Sequence, residues 1–159
     1  MTNVDLSGIV ICRDDLSSSA IANFLQQHID DMRATSPPES KHALDLENLR
    51  DPNIDFFSAT CRGQIVGCVA LKRLNAEESE LKSMRTGGEV RGLGIGKLLL
   101  DFILTHAQSK GCQRVYLETG SMAFFAPARQ LYQRRGFSFC GPFADYSADP
   151  NSVFMTLTL

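Results

Sequence analysis

The chain has 159 residues, of which 43% are apolar and 21% charged. That excludes a disordered chain and supplies one buried core, so residues 1–159 are read as a single domain. Sixteen basic and 18 acidic residues leave a net charge of -2, which argues against nucleic-acid or anionic-membrane partners, whose affinity would rest on a basic field.

The first strand is expected over Ile9–Cys12, a β-branched run after Gly8. From Ser18 the spacing turns helical, with Ile21, Phe24, Leu25, Ile29 and Met32 on one face and Ser17–Ser19 as N-caps. Pro37-Pro38 ends that helix, because proline lacks the N–H and restricts the residue before it. A short second helix is expected over Leu44–Arg50, stopped by Asp51-Pro52-Asn53. Strands over Phe56–Cys61 and Gln64–Lys72 form a hairpin around Arg62-Gly63, and a third sheet segment spans Glu80–Thr86. Ile95, Leu98, Leu99, Phe102, Ile103 and Ala107 then mark an amphipathic helix closed at Lys110-Gly111. Burying such side chains contributes roughly 1.5–3 kcal/mol each, so this helix anchors the core. Val115–Leu117 is a buried strand, Pro127 opens another helix that Gly136 closes, and Phe137–Phe139 and Val153–Leu157 complete the sheet. The order β-α-α-β-β-β-α-β-α-β-β is α/β of the α+β type with a mixed, mostly antiparallel sheet.

No run approaches the ~20 apolar residues of a membrane helix, and Met1–Ser7 lacks the basic and apolar regions of a secretory signal. The five cysteines, Cys12, Cys61, Cys68, Cys112 and Cys140, are scattered without a C-x-x-C pair. They read as reduced thiols of a cytoplasmic protein, with no disulfide framework and no metal site.

Chemistry concentrates at Arg91-Gly92-Leu93-Gly94-Ile95-Gly96-Lys97, between a strand and the amphipathic helix. Glycines at alternate positions let the main chain approach a ligand, and the N–H groups of a helix start make an anion site to which Arg91 and Lys97 add charge. A Walker loop does not fit, since Arg91 replaces its first glycine and Leu98 its Ser or Thr. A dinucleotide fingerprint fails as well, because Lys97 stands where the third glycine belongs.

Arg91, Gly94 and Gly96 do fit [Gln/Arg]-x-x-Gly-x-[Gly/Ala], and Ala128, Leu131, Tyr132, Gly136 and Phe137 fit A-x-x-L-Y-x-x-x-G-F. Together, and in this order, they resemble the GNAT superfamily of acyl-coenzyme A-dependent N-acyltransferases, over roughly Phe56–Phe139. The resemblance implies acetyl-coenzyme A as cosubstrate, without a metal. It implies two parallel strands splaying at a bulge, with main-chain groups of Met84 and Thr86 on the pantetheine arm. N–H groups across Gly92, Leu93, Gly94, Ile95, Gly96 and Lys97 would hold the diphosphate. Tyr132 matches the superfamily's general acid, with a core tyrosine as the alternative. Phe125 stands where many relatives carry Asn, so Thr119 or Ser121 would supply that polar contact.

Acetyl transfer to an amine needs a base, since an alkyl amine of pKa about 10.4 is only about 1 part in 2,500 neutral at pH 7. Glu80 is the leading candidate, with Glu78 behind it; a solvated charge within Asn75–Glu80 is the alternative for each. On the acceptor side the resemblance points to the first two helices and the Cys140–Tyr146 segment. His28 continues the apolar face of the first helix as pocket wall, and Arg33, Ser40 and His42 would hold an acceptor carboxylate. The expected function is N-acetyl transfer to a small, amino-acid-like amine. A protein N-acetyltransferase and a noncatalytic acyl-coenzyme A-binding module are the alternatives, and free sheet edges leave room for a homodimer.

Overall fold

The computed structural model describes residues 6–35, 46–88 and 93–159, excepting the side chains of residues 28, 29 and 31–35. Its elements in chain order are β1 (Ile9–Arg13), α1 (Ser19–Thr35), α2 (Leu46–Leu49), β2 (Ile54–Cys61), β3 (Gln64–Arg73) and β4 (Glu78–Thr86). They continue with α3 (Ile95–Ser109), β5 (Arg114–Gly120), α4 (Ala126–Arg135), β6 (Ser138–Cys140) and β7 (Ser152–Thr158). Short 3-10 turns precede β1 and α4. This is the order expected from the sequence.

The strands form one seven-stranded sheet, β1-β2-β3-β4-β5-β7-β6, in which only β4 and β5 run parallel. Alternation along β2 to β4 sends Phe57, Val69, Leu71 and Leu81 to one face, under α3 and α4. Ile54, Phe56, Cys68 and Ala70 point to the other, where Ile21 and Leu25 of α1 and Leu49 of α2 cover them. α3 is the central anchor, with Ile95, Leu99, Leu100, Ile103 and Leu104 at most 1% exposed.

Local chemistry sets the boundaries. The Ser18 hydroxyl accepts from the Ile21 N–H at 3.2 Å and caps α1. Arg62 and Gly63 both have positive φ, 53° and 78°, which suits the twist of a tight hairpin between β2 and β3. The strand limits shift by a few residues from the sequence reading, with β5 extending to Arg114–Gly120, and at β4 and β6 the cause is visible. β4 starts at Glu78 because the Asn75 side chain accepts from the N–H groups of Glu77 and Glu78, turning part of the acidic run into the hairpin's return. β6 starts at Ser138 because the Phe137 N–H donates to the Tyr132 carbonyl at 3.0 Å, making Phe137 the end of α4. The short helix narrows to Leu46–Leu49 within the described residues, which do not include Pro37-Pro38 or residues 44 and 45.

Candidate active site

The sheet comes apart in its middle. β4 and β5 pair only from Glu78–Arg114 to Leu81–Leu117, although the strands continue to Thr86 and Gly120. On its other side β4 pairs with β3, but the register slips between Cys68 and Ala70, whose partners are Arg85 and Lys82. β4 therefore carries one extra residue, and Ser83 takes it up with φ 53°. The Cys68 thiol donates to the Ser83 carbonyl at 3.2 Å behind this bulge. Beyond Leu81 and Leu117, main-chain groups of both strands face a gap outside the ladder.

The start of α3 closes one end of that gap. Gly94 is the N-cap with φ 91°, a conformation an L side chain adopts only with strain, and no described side chain caps the helix. The N–H groups of the first turn remain available, with the positive end of the helix dipole behind them. A Cβ on Gly96 would lie 3.2 Å from Leu131 Cδ2 and 3.9 Å from Thr86 Cγ2, so this glycine lets α3 sit close to α4 and to the end of β4. Ile95 is buried, and Leu93 and Met84 pack against the core beneath α3, which leaves their main chains to serve a ligand. Arg91 and Gly92 lie outside the described residues.

The Lys97 amide belongs to the first turn, and its exposed ammonium donates to Asp101 Oδ2 at 2.7 Å, one helical turn further on. Arg135 of α4 completes the pair at 3.2 Å, and both cations hold the Asp101 carboxyl below its ordinary value.

Tyr132 faces the core from α4 at 5% exposure, with Phe137 beside it at a ring-centroid distance of 5.8 Å. No described residue hydrogen-bonds its hydroxyl. Burial raises its pKa, which keeps the phenol protonated and able to donate.

Glu80 lies on the opposite face of the sheet. Its Oε2 accepts from the Tyr146 hydroxyl at 2.6 Å and from Lys82 Nζ at 2.9 Å, and that ammonium also donates to the Tyr146 oxygen at 3.0 Å. The Glu80 and Lys82 side chains are 4% and 9% exposed. Tyr146 belongs to the connection between β6 and β7, and its ring packs on Phe143 and Phe154, with Phe143 stacked in turn on Tyr116. The sequence reading includes Tyr146 in the Cys140–Tyr146 segment without giving it a role of its own, and assigns none to Lys82. The one signal for Lys82 was its place two residues after Glu80, on the same strand face. Glu78 accepts from Asn75 Nδ2 and from the Tyr116 hydroxyl, so it braces the hairpin. A cavity of about 680 Å³ opens beside these groups, with Lys72, Asn75, Glu78, Tyr116, Phe143 and Asp145 in its wall.

At the end of β5, Thr119 pairs with Val153 and is half-buried. The Ser121 hydroxyl donates to the Pro150 carbonyl at 2.8 Å, which commits it to the β6–β7 connection. Phe125 has a steric place here, because a Cβ on Gly120 would come 2.1 Å from its ring. Of the expected acceptor residues, His28 and Arg33 lie on α1 with side chains outside the described set, and Ser40 and His42 lie outside it entirely. Among the described residues no cluster of His, Cys, Asp or Glu could hold a metal, and no helix is long and apolar enough to cross a membrane.

The model of the acetyltransferase (GNAT) family matches residues 21–137. The chain is 49% identical over 146 residues to the uncharacterized N-acetyltransferase YsnE of Bacillus subtilis, covering 92% of this chain and 97% of that one. It is 34% identical over 152 residues to an IAA acetyltransferase of Azospirillum brasilense, covering 94% and 97%. Its fold is similar to that of an aminoglycoside 6'-N-acetyltransferase crystallised with coenzyme A, at a TM-score of 0.69 and 17% identity over 94% of this chain and 96% of the other.

Proposed function

The chain belongs to the GNAT family of acetyltransferases and is an acyltransferase, and on that premise we propose that it transfers an acetyl group from acetyl-coenzyme A directly to the primary amine of a small molecule. The observation that carries this reading is the seam: pairing of β4 with β5 stops at Leu81–Leu117, beside a bulge and an uncapped helix start. Residues 82–86 and 118–120 offer strand-type hydrogen bonds to an extended amide-bearing arm, and amides 95–97 suit a diphosphate. Acetyl-coenzyme A has both, and it supplies the thioester carbon that the amine attacks.

The two faces of the sheet divide the proton work. On the α1 face Glu80 is the final resting place of a proton from the acceptor ammonium, and the freed amine forms the C–N bond as the C–S bond breaks. On the α4 face Tyr132 gives its proton to the departing sulfur and regains one from the nitrogen. One proton per turnover then leaves Glu80 for solvent, which balances ammonium plus thioester against amide plus thiol. No cysteine is needed as a nucleophile; burial pushes the nearest thiol to the bulge, Cys68, up to about 12.

A small-molecule acceptor is in keeping with the IAA and aminoglycoside acetyltransferases that the chain is similar to, and the five free thiols suit a reducing cytoplasm. The reading keeps one domain, and a homodimer, if formed, would use the free edges at β1 or β6. Titration calorimetry with acetyl-coenzyme A, followed by thiol-release assays over aminoglycosides, polyamines and amino acids, tests it. Binding with transfer that falls about 10²-fold in Tyr132→Phe is expected. Failure to bind overturns the reading, and binding without transfer to any amine makes the chain a binding module.

A further inference from the structure

Glu80 is too deeply placed to meet an acceptor by itself. Its carboxylate is 4% exposed, Lys82 covers it at 9%, and both contacts fall on Oε2. The other group on this carboxylate is Tyr146, half-buried, with its hydroxyl 2.6 Å from Oε2. Three features fix that hydroxyl. Its ring packs against both Phe143 and Phe154, with centroids at 5.0 and 5.5 Å. Lys82 Nζ donates to its oxygen at 3.0 Å and lies 5.6 Å from the ring centroid. Ala144, two residues before it, is held at φ 50°, and the Tyr146 N–H donates to the Phe143 carbonyl, so the connection enters the site in a tight turn.

Resting on the acetyl-transfer reading, we propose that Tyr146 is a further catalytic residue: its hydroxyl receives the acceptor ammonium's proton and passes its own along the bond to Glu80 Oε2. The step balances. One N–H bond of the ammonium breaks, a new O–H forms on Tyr146 as its original O–H breaks, and Glu80 becomes a carboxylic acid while the amine keeps its lone pair for attack. At no point is a free phenolate required, in keeping with the raised pKa that burial and the Glu80 charge give this tyrosine. Among the described residues, the charged groups around it include Lys82 and Glu80 of β4, Glu118 of β5 and Asp145 beside it, with Lys72 of β3 opposite Glu80 in register. Glu118 accepts from the Ser152 hydroxyl at 2.8 Å, and its charge adds to that of Glu80 in disfavouring a phenolate at Tyr146.

The test compares wild type, Tyr146→Phe, Glu80→Gln and the double variant from pH 7 to 10, with whichever of kanamycin, spermidine or lysine the wild type acetylates fastest. A relay matters only while the acceptor is an ammonium. The deficit of Tyr146→Phe in kcat/KM is therefore expected to be at least tenfold at pH 7 and to shrink below threefold at pH 10, with acetyl-coenzyme A affinity unchanged by calorimetry. Since the two groups act in series, the double variant should lose no more than the worse single one. Independently of turnover, proton NMR of the protein alone should show a downfield hydroxyl resonance that vanishes in Tyr146→Phe and in Glu80→Gln. A deficit that is constant with pH, multiplying losses, or no downfield proton overturns the relay and leaves acetyl transfer standing. A wild type that neither binds acetyl-coenzyme A nor acetylates an amine overturns the transfer reading and the relay together.

Discussion

Replacing Gly67 by Ala should destabilise the chain at the back of the bulge. Gly67 lies on β3 opposite Thr86, and a Cβ there would stand 2.8 Å from Leu99 Cδ1, 2.9 Å from the Arg85 carbonyl oxygen and 3.4 Å from Ile95 Cγ2. Neither close neighbour yields easily. Leu99 has no exposed surface, and the carbonyl belongs to the backbone of the bulged strand. Overpacking of this kind costs about 1–3 kcal/mol. The lower backbone entropy of unfolded Ala over Gly offsets roughly 0.5–1 kcal/mol, so a net loss of about 1–2 kcal/mol is expected. For a chain of this length that lowers Tm by roughly 2–8 °C. Urea unfolding should show a lower midpoint at an unchanged slope, whereas Gly141→Ala, with nothing within 4 Å of its added Cβ, should stay within about 0.5 kcal/mol of wild type. A Gly67→Ala midpoint equal to or above wild type would refute the claim that α3 is pressed onto β3 and β4 at this point.

Three further outcomes are expected. Gly94→Ala forces an L side chain to φ 91° at the N-cap of α3, a penalty of about 1–2 kcal/mol; urea unfolding should show the stability lowered by about that amount. Asp101→Asn removes the partner of Lys97 and Arg135; because the Asp101 carboxyl is 41% exposed, solvent screening limits the loss to a few tenths of a kcal/mol. Its pKa is depressed in the fold, so that contribution is complete above the ordinary carboxylate value near ~3.9 and disappears as pH falls through the folded value, and urea midpoints at pH 6 and pH 3 should differ less in the variant. Iodoacetamide at pH 8 should alkylate exposed Cys12 and leave Cys68 untouched, since burial pushes the Cys68 thiol up to about 12; mass spectrometry of the peptides reads the result.

What the sequence disclosed follows the range of the forces involved. Periodicity and punctuation are local, so the α3 stripe, the Arg62-Gly63 turn and the helix end at Gly136 were legible from neighbouring residues alone. The glycine run before α3 was legible for the same reason. Side-chain partners are another matter. The motif shows the Lys97 charge, but its i, i+4 partner Asp101 and the reach of Arg135 from α4 to the same carboxylate are visible only in three dimensions. Tyr146 meets Glu80 across 66 positions of sequence, through a packing of rings on the far side of the sheet that no motif encodes. Phe125 looked like the loss of a polar contact, and its fit against Gly120 is visible only once β5 and the following turn are placed together.

The open seam between β4 and β5 has a consequence for how the molecule coexists with copies of itself. Unsatisfied strand groups at the rim of a sheet invite another chain to add on, the route to aggregation. Here such groups lie inside the sheet, between strands that β3 and β7 hold from behind, and the wedge narrows to full pairing at Leu81–Leu117. A slender linear guest can enter that wedge, while a foreign strand carrying its own neighbours cannot. The protein can thus keep an adhesive surface permanently on display without becoming sticky toward its own kind.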